Sequence, residues 1–290
     1  MSSKNNKHDF KFHANVTVYF ILRILVLAVM VIQFIHGNYN NVFICLLTLI
    51  LFLIPVIADH NLNIKLPTTL EIIILLFIFS AEILGEIHSF YVRIPYWDTI
   101  LHVINGFMMA AIGFTMIDIL NQHPKFHISM SPVFVAFTAF CFSMTIGVVW
   151  EFFEFTMDQL FLTDMQKDTL ISAISSVHLN PEGINDAVVV KDITETIVKT
   201  ASGEITVPGG YLDVGVIDTM KDLLVNCAGA LIFSAIGAVY IKNRGRGKFA
   251  ARFIPQLKTP EEIRQSRQLR REFFEEKQAK KAKKRKRKGC

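Results

Sequence analysis

The sequence predicts an all-α polytopic membrane protein, and its composition, its hydropathy and the arrangement of its apolar residues all support that fold class. Of the 290 residues 52% are apolar and 19% are charged, whereas about a quarter of the residues in a soluble chain are charged. The mean hydropathy is +0.40. This composition excludes a disordered protein, and four cysteines without paired spacing exclude a disulfide-stapled secreted domain.

Six apolar runs are long enough to cross the hydrocarbon core of a bilayer, which takes roughly 20 residues in a helix. The predicted transmembrane helices are Val16–Ile35, Val42–Ala58, Leu70–Phe90, Trp97–Leu120, Pro132–Phe155 and Thr219–Ile241. The predicted organisation is an N-terminus at 1–15, five helices within 16–155, an insert at 156–217, the sixth helix at 218–241 and a tail at 242–290. The first run is too long for the apolar part of a signal peptide, so we expect a retained span.

The distribution of basic residues predicts the orientation of these spans. Lysines precede the first span, Lys65 lies between the second and third spans, Lys125 lies between the fourth and fifth, and a basic tail follows the sixth. The loops on the opposite side hold few basic residues. Both termini are therefore expected in the cytoplasm.

The insert before the last span is too long for a simple connection. It carries β-branched runs at Val188–Val190, Ile193–Val198 and Gly203–Val207, with a turn at Ala201-Ser202-Gly203 between the last two. Such runs predict a small β-hairpin, which the orientation places on the extracytoplasmic face. The first part of the insert, Asp164–Val177, is compatible with a short interfacial helix.

The tail is predicted to form a basic cytoplasmic helix. Thr259-Pro260-Glu261-Glu262 marks its start, because threonine is a favourable N-cap and proline fits the first turn. The run Lys277–Lys288 is almost continuously basic, so we expect it to contact anionic lipid headgroups of the bilayer. No nucleic acid is expected as a partner, since no groove-reading motif accompanies the charge.

Ionisable side chains inside the predicted spans are the strongest functional signal. Each costs about 2.5–3.5 kcal/mol on insertion scales and therefore needs a partner, water or a function. The last four spans carry, in order, Glu82, Glu86 and His88; Asp98 and His102; Glu151 and Glu154; Asp218, Asp222 and Asn226. Because successive spans alternate in direction, all these positions fall near one membrane boundary, which the orientation makes the outer one.

Carboxylates and imidazoles gathered at one level suit a divalent metal ion such as zinc, manganese, iron or magnesium. The predicted metal ligands are Asp98, His102, Glu151 and Asp222. Glu154 or Asp218 is the candidate catalytic base. The remaining polar residues, predicted to support the cluster, are Glu82, Glu86, His88 and Asn226.

Three spaced motifs resemble a family of uncharacterised bacterial inner-membrane proteins typified by YjdF and, more distantly, the VanZ-like family linked to glycopeptide resistance. The motifs are Asp98-x3-His102 followed by Gly106, Glu151-x2-Glu154, and Asp218-x3-Asp222-x3-Asn226-x2-Gly229. The resemblance covers roughly Leu70–Ala238 and implies a multi-pass protein of the bacterial inner membrane. The long insert and the basic tail depart from the VanZ-like pattern, and neither family implies an established reaction.

Three functions fit these observations. The first is a metal-dependent enzyme that acts on a lipid or envelope substrate by hydrolysis or group transfer. The second is a non-catalytic membrane scaffold whose polar cluster locks the helices together. The third is a proton- or cation-coupled transporter. The polar groups gather near one face instead of forming a path across the membrane, which argues against this function.

Overall fold

The computed structural model of the chain describes residues 5–61, 64–122, 130–243, 247–265, 268 and 275. The α-helices are α1 Asn5–Ile35, α2 Tyr39–Leu51, α3 Ile54–Asn61, α4 Thr68–Phe79, α5 Phe90–Arg93, α6 Trp97–Gln122, α7 Pro132–Phe161 and α8 Val216–Lys242. The strands are β1 Ile64–Lys65, β2 Leu170–Ile171, β3 Ile174–Ser176, β4 Val188–Val190, β5 Glu195–Thr200, β6 Gly203–Pro208, β7 Tyr211–Leu212 and β8 Gln256–Leu257.

By length and composition, five helical stretches of the described residues could cross a membrane. They are Val16–Ile35, Tyr39–Asp59, Trp97–Leu120, Pro132–Phe161 and Val216–Lys242. Their outward surfaces are rich in exposed apolar side chains, including Ile24, Phe137 and Leu224. Such surfaces suit a hydrocarbon surrounding, because in water they would be costly to expose.

The third predicted span, Leu70–Phe90, does not form one long α-helix. Helix α4 ends at Phe79 and continues as a π-helix over Ser80–Ile87, so this segment is not among the five spanning stretches. Ser89 then adopts a left-handed conformation with φ of 59° before the short helix α5. The aromatic ring of Tyr91 packs where a side chain on Gly85 would lie, which explains the glycine in the π-helix.

The insert contains three antiparallel strand pairs, and the predicted hairpin is confirmed. Strands β5 and β6 pair in register from Glu195 with Pro208 to Thr200 with Gly203, and Ala201 and Ser202 form the turn. The expectation of an interfacial helix over 164–177 is wrong. Strands β2 and β3 lie there instead, because β2 pairs with β7 and β3 pairs with β4.

The chain divides into two compact units. The first comprises Met1–Trp97, Ala111–Ala139 and Ser234–Cys290, and the second comprises Asp98–Ala110 and Phe140–Phe233. The core of the first unit includes Val26, Cys45 and Phe52, which are completely buried. The second unit contains residues 98–110 of α6, 140–161 of α7, the insert and residues 216–233 of α8.

The start of the tail docks within the first unit. Strand β8 pairs with β1, and salt bridges of 2.7 Å join Lys258 to Asp59 and Lys65 to Glu262. The predicted helix start is confirmed as a reciprocal cap, since Thr259 N donates to Glu262 and Glu262 N donates to the Thr259 hydroxyl. The basic run Lys277–Lys288 lies outside the described residues.

Candidate metal centre

Two glycines bring helices α6 and α8 into backbone contact. A Cβ atom on Gly106 would collide with the carbonyl oxygen of Asn226, and one on Gly229 would collide with the carbonyl oxygen of Val103. Along both helices, contacts run in the same direction, from His102 with Asp222 through Asn105 with Asn226 to Phe107 with Phe233, so α6 and α8 are parallel. Small residues allow such close approach between membrane helices.

Asn226 connects α8 to both neighbouring helices of the second unit. Its side chain is fully buried, and its Oδ1 atom accepts a hydrogen bond of 3.2 Å from the Asn105 amide of α6. On α7, Gly147 leaves room for the Asn226 amide, whose Nδ2 atom would lie 2.7 Å from an added Cβ. The Ser143 hydroxyl of α7 also donates to the Gly106 carbonyl at 2.8 Å. These contacts place α7 antiparallel to α6 and α8.

The first turns of α6 and α8 then hold three potential metal ligands together. The Nε2 atom of His102 lies 3.5 Å from an oxygen of Asp98 and 3.8 Å from an oxygen of Asp222. One ligand atom from each of the three residues lies within 4.8 Å of the other two. We call Asp98, His102 and Asp222 the triad. Asp222 is 1% exposed and His102 is 8% exposed, so the triad is shielded from solvent except around Asp98.

Helix α7 brings two glutamates to the same end of the unit. Glu154 is buried and accepts a hydrogen bond of 2.9 Å from the indole nitrogen of Trp150. Glu151 is 4% exposed, and neither of its carboxylate oxygens has a hydrogen-bond partner among the described residues. Both glutamates interact electrostatically with Asp98 and Asp218.

The first residues of the insert cover this end of the helices. The carboxylate of Asp158 accepts hydrogen bonds from Thr163 and from the backbone N–H groups of Met165 and Gln166, which fixes the chain as it leaves α7. Lys167 N donates to Asp218 at 2.9 Å, and the Gln166 amide donates to the Thr219 hydroxyl at 2.6 Å. We call residues 163–167 the cover segment.

Outside the spans, the insert adds further negative charge. Asp168 follows the cover segment, and partial burial, then the nearby carboxylates of Asp164, Asp213 and Asp158, raise its pKa. Asp213 in turn accepts hydrogen bonds from the backbone N–H groups of Thr169 and Ile217, which joins the insert to the start of α8. The approach to the triad is therefore acidic.

The predicted residues separate into three groups and the single residue Asn226. Asp98, His102 and Asp222 meet as potential ligands, whereas Glu151, Glu154 and Asp218 surround them at electrostatic range. Asn226 lies one turn deeper along α8 and links helices. The third group, Glu82, Glu86 and His88, belongs to the first unit, so its part in the cluster stays a prediction.

Sequence reasoning missed several participants. Asn105, Ser143 and Gln166 carry no charge, and nothing in their spacing distinguishes them from other polar residues. Trp150 lies four residues before Glu154, a spacing at which helical side chains meet, and this signal could have identified it. Lys221 was overlooked although it lies within the sixth predicted span. Its exposed ammonium group interacts electrostatically with His102 and Asp218.

Comparisons with known proteins agree with the membrane assignment. A family described as "Predicted membrane protein (DUF2238)" matches residues 18–243, which include every residue of the candidate centre. An uncharacterised protein of Thermotoga maritima is 28% identical over 107 residues, which are 37% of this chain and 53% of that protein. The chain thus spans about half the length of this curated relative. No solved structure matches the chain.

Proposed function

The chain belongs to the DUF2238 family of predicted membrane proteins, and from that premise we propose that it is a metal-dependent membrane enzyme. The triad of Asp98, His102 and Asp222 binds a divalent ion. When bound there, such an ion would supply activation of water or polarisation of a substrate group, as hydrolysis or group transfer on a lipid or envelope substrate requires.

The spacing of the triad carries this proposal. Ligand atoms about 2.1 Å from one tetrahedral ion lie about 3.4 Å from each other. The separations of 3.5 Å and 3.8 Å from His102 Nε2 to the two aspartates are close to that value, so small side-chain rotations suffice. One imidazole and two carboxylates suit zinc or manganese, and three protein ligands leave a coordination position for water or substrate.

Glu154 is the better candidate for the catalytic base. Of the two predicted bases, Asp218 holds the cover segment through the N–H of Lys167. Glu154 is buried, interacts with Asp98, and has one oxygen bonded to the Trp150 indole while the other stays available to accept a proton. A carboxylate beside a metal-bound water performs this role in metal-assisted hydrolysis.

Membrane placement supports a substrate at the bilayer boundary. The triad lies in the first turns of α6 and α8, where the spans give way to the insert. We assign the boundary to the outer face of a bacterial inner membrane, with both termini in the cytoplasm. In this arrangement α4 and the π-helix that follows it form the third of six spans. We also propose that the chain is related to the YjdF-type proteins and, more distantly, to the VanZ-like family. The run Lys277–Lys288 is proposed to contact anionic lipid headgroups.

A purely structural role accounts less well for the buried carboxylates. The contacts that lock α6, α7 and α8 are those of Asn226, Ser143 and the two glycines, one to two turns deeper. By contrast, Asp222 Oδ1 and both oxygens of Glu151 have no hydrogen-bond partner in the part of the chain that the structure describes. Buried carboxylates that only joined helices would be bonded, since an unpaired one is costly.

Metal analysis of the purified protein tests this function. We expect the full chain in detergent to retain zinc or manganese after desalting, and His102→Ala and Asp222→Asn to lose it. The matched controls His36→Ala and Asp192→Asn change exposed residues and should retain the metal. The proposal fails if the wild-type protein binds neither ion after incubation with each and His102→Ala leaves the cellular phenotype unchanged at equal abundance.

A further inference from the structure

We infer that Glu151 forms a second cation site beside the triad, with Asp98 shared between the two ions. This inference rests on the proposed function, because it takes the triad as the first site. It assigns Glu151 to a separate ion, whereas the sequence had placed this residue in a single ligand set with the triad.

Glu151 is the buried polar side chain that the helix contacts explain least. Only 4% of its surface is exposed, and both carboxylate oxygens lack a hydrogen bond within the described segments. The Thr219 hydroxyl and the Gln166 amide interact with it without reaching hydrogen-bond geometry, and they bond to each other at 2.6 Å. A carboxylate left in this state calls for a positive charge.

Several other carboxylates, two of them members of the triad, interact with Glu151. Glu151 interacts electrostatically with Asp98, Asp218 and Asp222, and with Glu154 of its own helix. Asp98 also approaches Asp222 closely enough for direct interaction of the two carboxyl groups. Asp98 therefore interacts both with Glu151 and with the other two members of the triad. A carboxylate has two oxygens, so Asp98 can bind one ion with each.

Charge also favours a second ion. The three carboxylates Asp98, Glu151 and Asp222 interact with one another, and Asp218 adds a fourth negative charge. One divalent ion compensates two of these charges. Lys221 is the nearby lysine that interacts with His102 and Asp218, but its exposed side chain carries its charge towards the surface. Glu154 adds a fifth carboxylate, so a second divalent ion would compensate two of the three negative charges that remain.

The ligand types distinguish the two sites chemically. The triad includes an imidazole, which suits zinc or manganese. The second site offers only oxygen atoms, from Glu151, Asp98 and Asp218, with the Thr219 hydroxyl in reach. Oxygen-only sites select hard cations, so the second ion is magnesium or manganese. Helical bundles hold ion pairs in this way, with carboxylates on facing helices.

Manganese is the best probe, because it suits both sites and is paramagnetic. We expect the full chain in detergent, titrated with Mn²⁺, to bind two ions. Two ions that share a carboxylate lie about 3.5–4 Å apart, so their electron paramagnetic resonance spectrum should show exchange coupling. Glu151→Gln should bind one ion with an uncoupled six-line spectrum, and its first-site affinity should stay within about threefold.

Glu154→Gln is the matched control, because Glu154 is a buried glutamate of the same helix that already has the Trp150 indole as a partner. It should still bind two ions. If Glu151→Gln does not fold, the stoichiometry and spectrum of the wild-type protein decide the matter. One ion per wild-type chain, or two without coupling, would overturn the second site and leave the first intact. No bound ion would overturn both.

Discussion

Replacing Gly106 by alanine perturbs the place where helices α6 and α8 touch. The added Cβ would collide with the Asn226 carbonyl oxygen and would lie 2.9 Å from its carbon. Ordinary van der Waals contact begins at 3.4 Å, so the carbon alone requires a separation of about 0.5 Å, and the nearer oxygen requires the two backbones to separate by more than that. The obstacle is backbone, which cannot rotate away as a flexible side chain could.

Two opposing effects set the expected change in stability. Glycine to alanine in a helix interior is favourable by about 0.8–1.0 kcal/mol when nothing is in the way. Overpacking a close contact is unfavourable by about 1–3 kcal/mol. We therefore expect Gly106→Ala to lower the free energy of unfolding by about 0–2 kcal/mol. Because α6 carries Asp98 and His102 and α8 carries Asp222, the separation should also weaken zinc affinity by about tenfold.

Thermal unfolding in detergent and a zinc titration measure both effects. Ile100→Ala, at a 52% exposed position of the same helix, is the control that should change zinc affinity little. A Gly106→Ala protein that is about 1 kcal/mol more stable than the wild type, with unchanged zinc affinity, would show that propensity dominates. The inferred backbone contact between α6 and α8 would then be refuted.

Three further predictions follow from single contacts. Asn226→Leu removes the bond to Asn105 and should lower the free energy of unfolding by about 0.6–1.7 kcal/mol in thermal unfolding; an unchanged midpoint would contradict its linking role. Asp158→Ala removes three hydrogen bonds from the cover segment and should speed amide hydrogen exchange over residues 163–167, whereas unaltered exchange would mean that other contacts hold it. In the tail, hydrogen bonds from Lys65 and Thr259 lower the pKa of Glu262 to about 2. The stabilisation of the folded cap by the ionised Glu262 carboxylate is therefore complete above the ordinary pKa of 4.5 and is lost as the pH falls towards 2. Glu262→Gln should raise exchange over residues 260–265 already at pH 7, and equal exchange in both proteins would contradict the cap.

Hydropathy and alternation were sufficient to predict much of the architecture. Five of the six predicted spans correspond to long apolar helices, because a run of about 20 apolar residues has few other stable arrangements. The meeting of Asp98, His102 and Asp222 followed from the alternating direction of the spans, which brings the first turns of α6 and α8 to one side. The structure then shows that Gly106 and Gly229 lie where these two helices touch.

Other features depended on contacts that hydropathy does not encode. The residues over Ser80–Ile87 have the same hydropathy whether they form an α-helix or a π-helix, so hydropathy does not distinguish the two. The wider turn of the π-helix fits the packing of Tyr91 against Gly85. The pairing of Ile174 with Val190 joins residues far apart in sequence, so the first part of the insert was open to a helical interpretation. Local patterns do not show which distant strand is available.

The detailed roles of the carboxylates were also beyond sequence reasoning. Glu151 and Glu154 are one turn apart on α7, yet one is bonded to an indole and the other has no bonded partner in the described chain. Only the position of Trp150 distinguishes them. Similarly, Asp158 and Asp218 resemble the other acidic residues of the cluster in sequence, but each accepts a hydrogen bond from a backbone N–H group of the cover segment.

The position of a bound ion tests the central claim most directly. Anomalous diffraction from crystals of the zinc-loaded protein should show a peak about 2.0–2.2 Å from His102 Nε2 and from one carboxylate oxygen each of Asp98 and Asp222. A zinc-loaded crystal in which those three side chains point away from one another, or in which the peak lies elsewhere, would contradict a metal centre at the ends of α6 and α8.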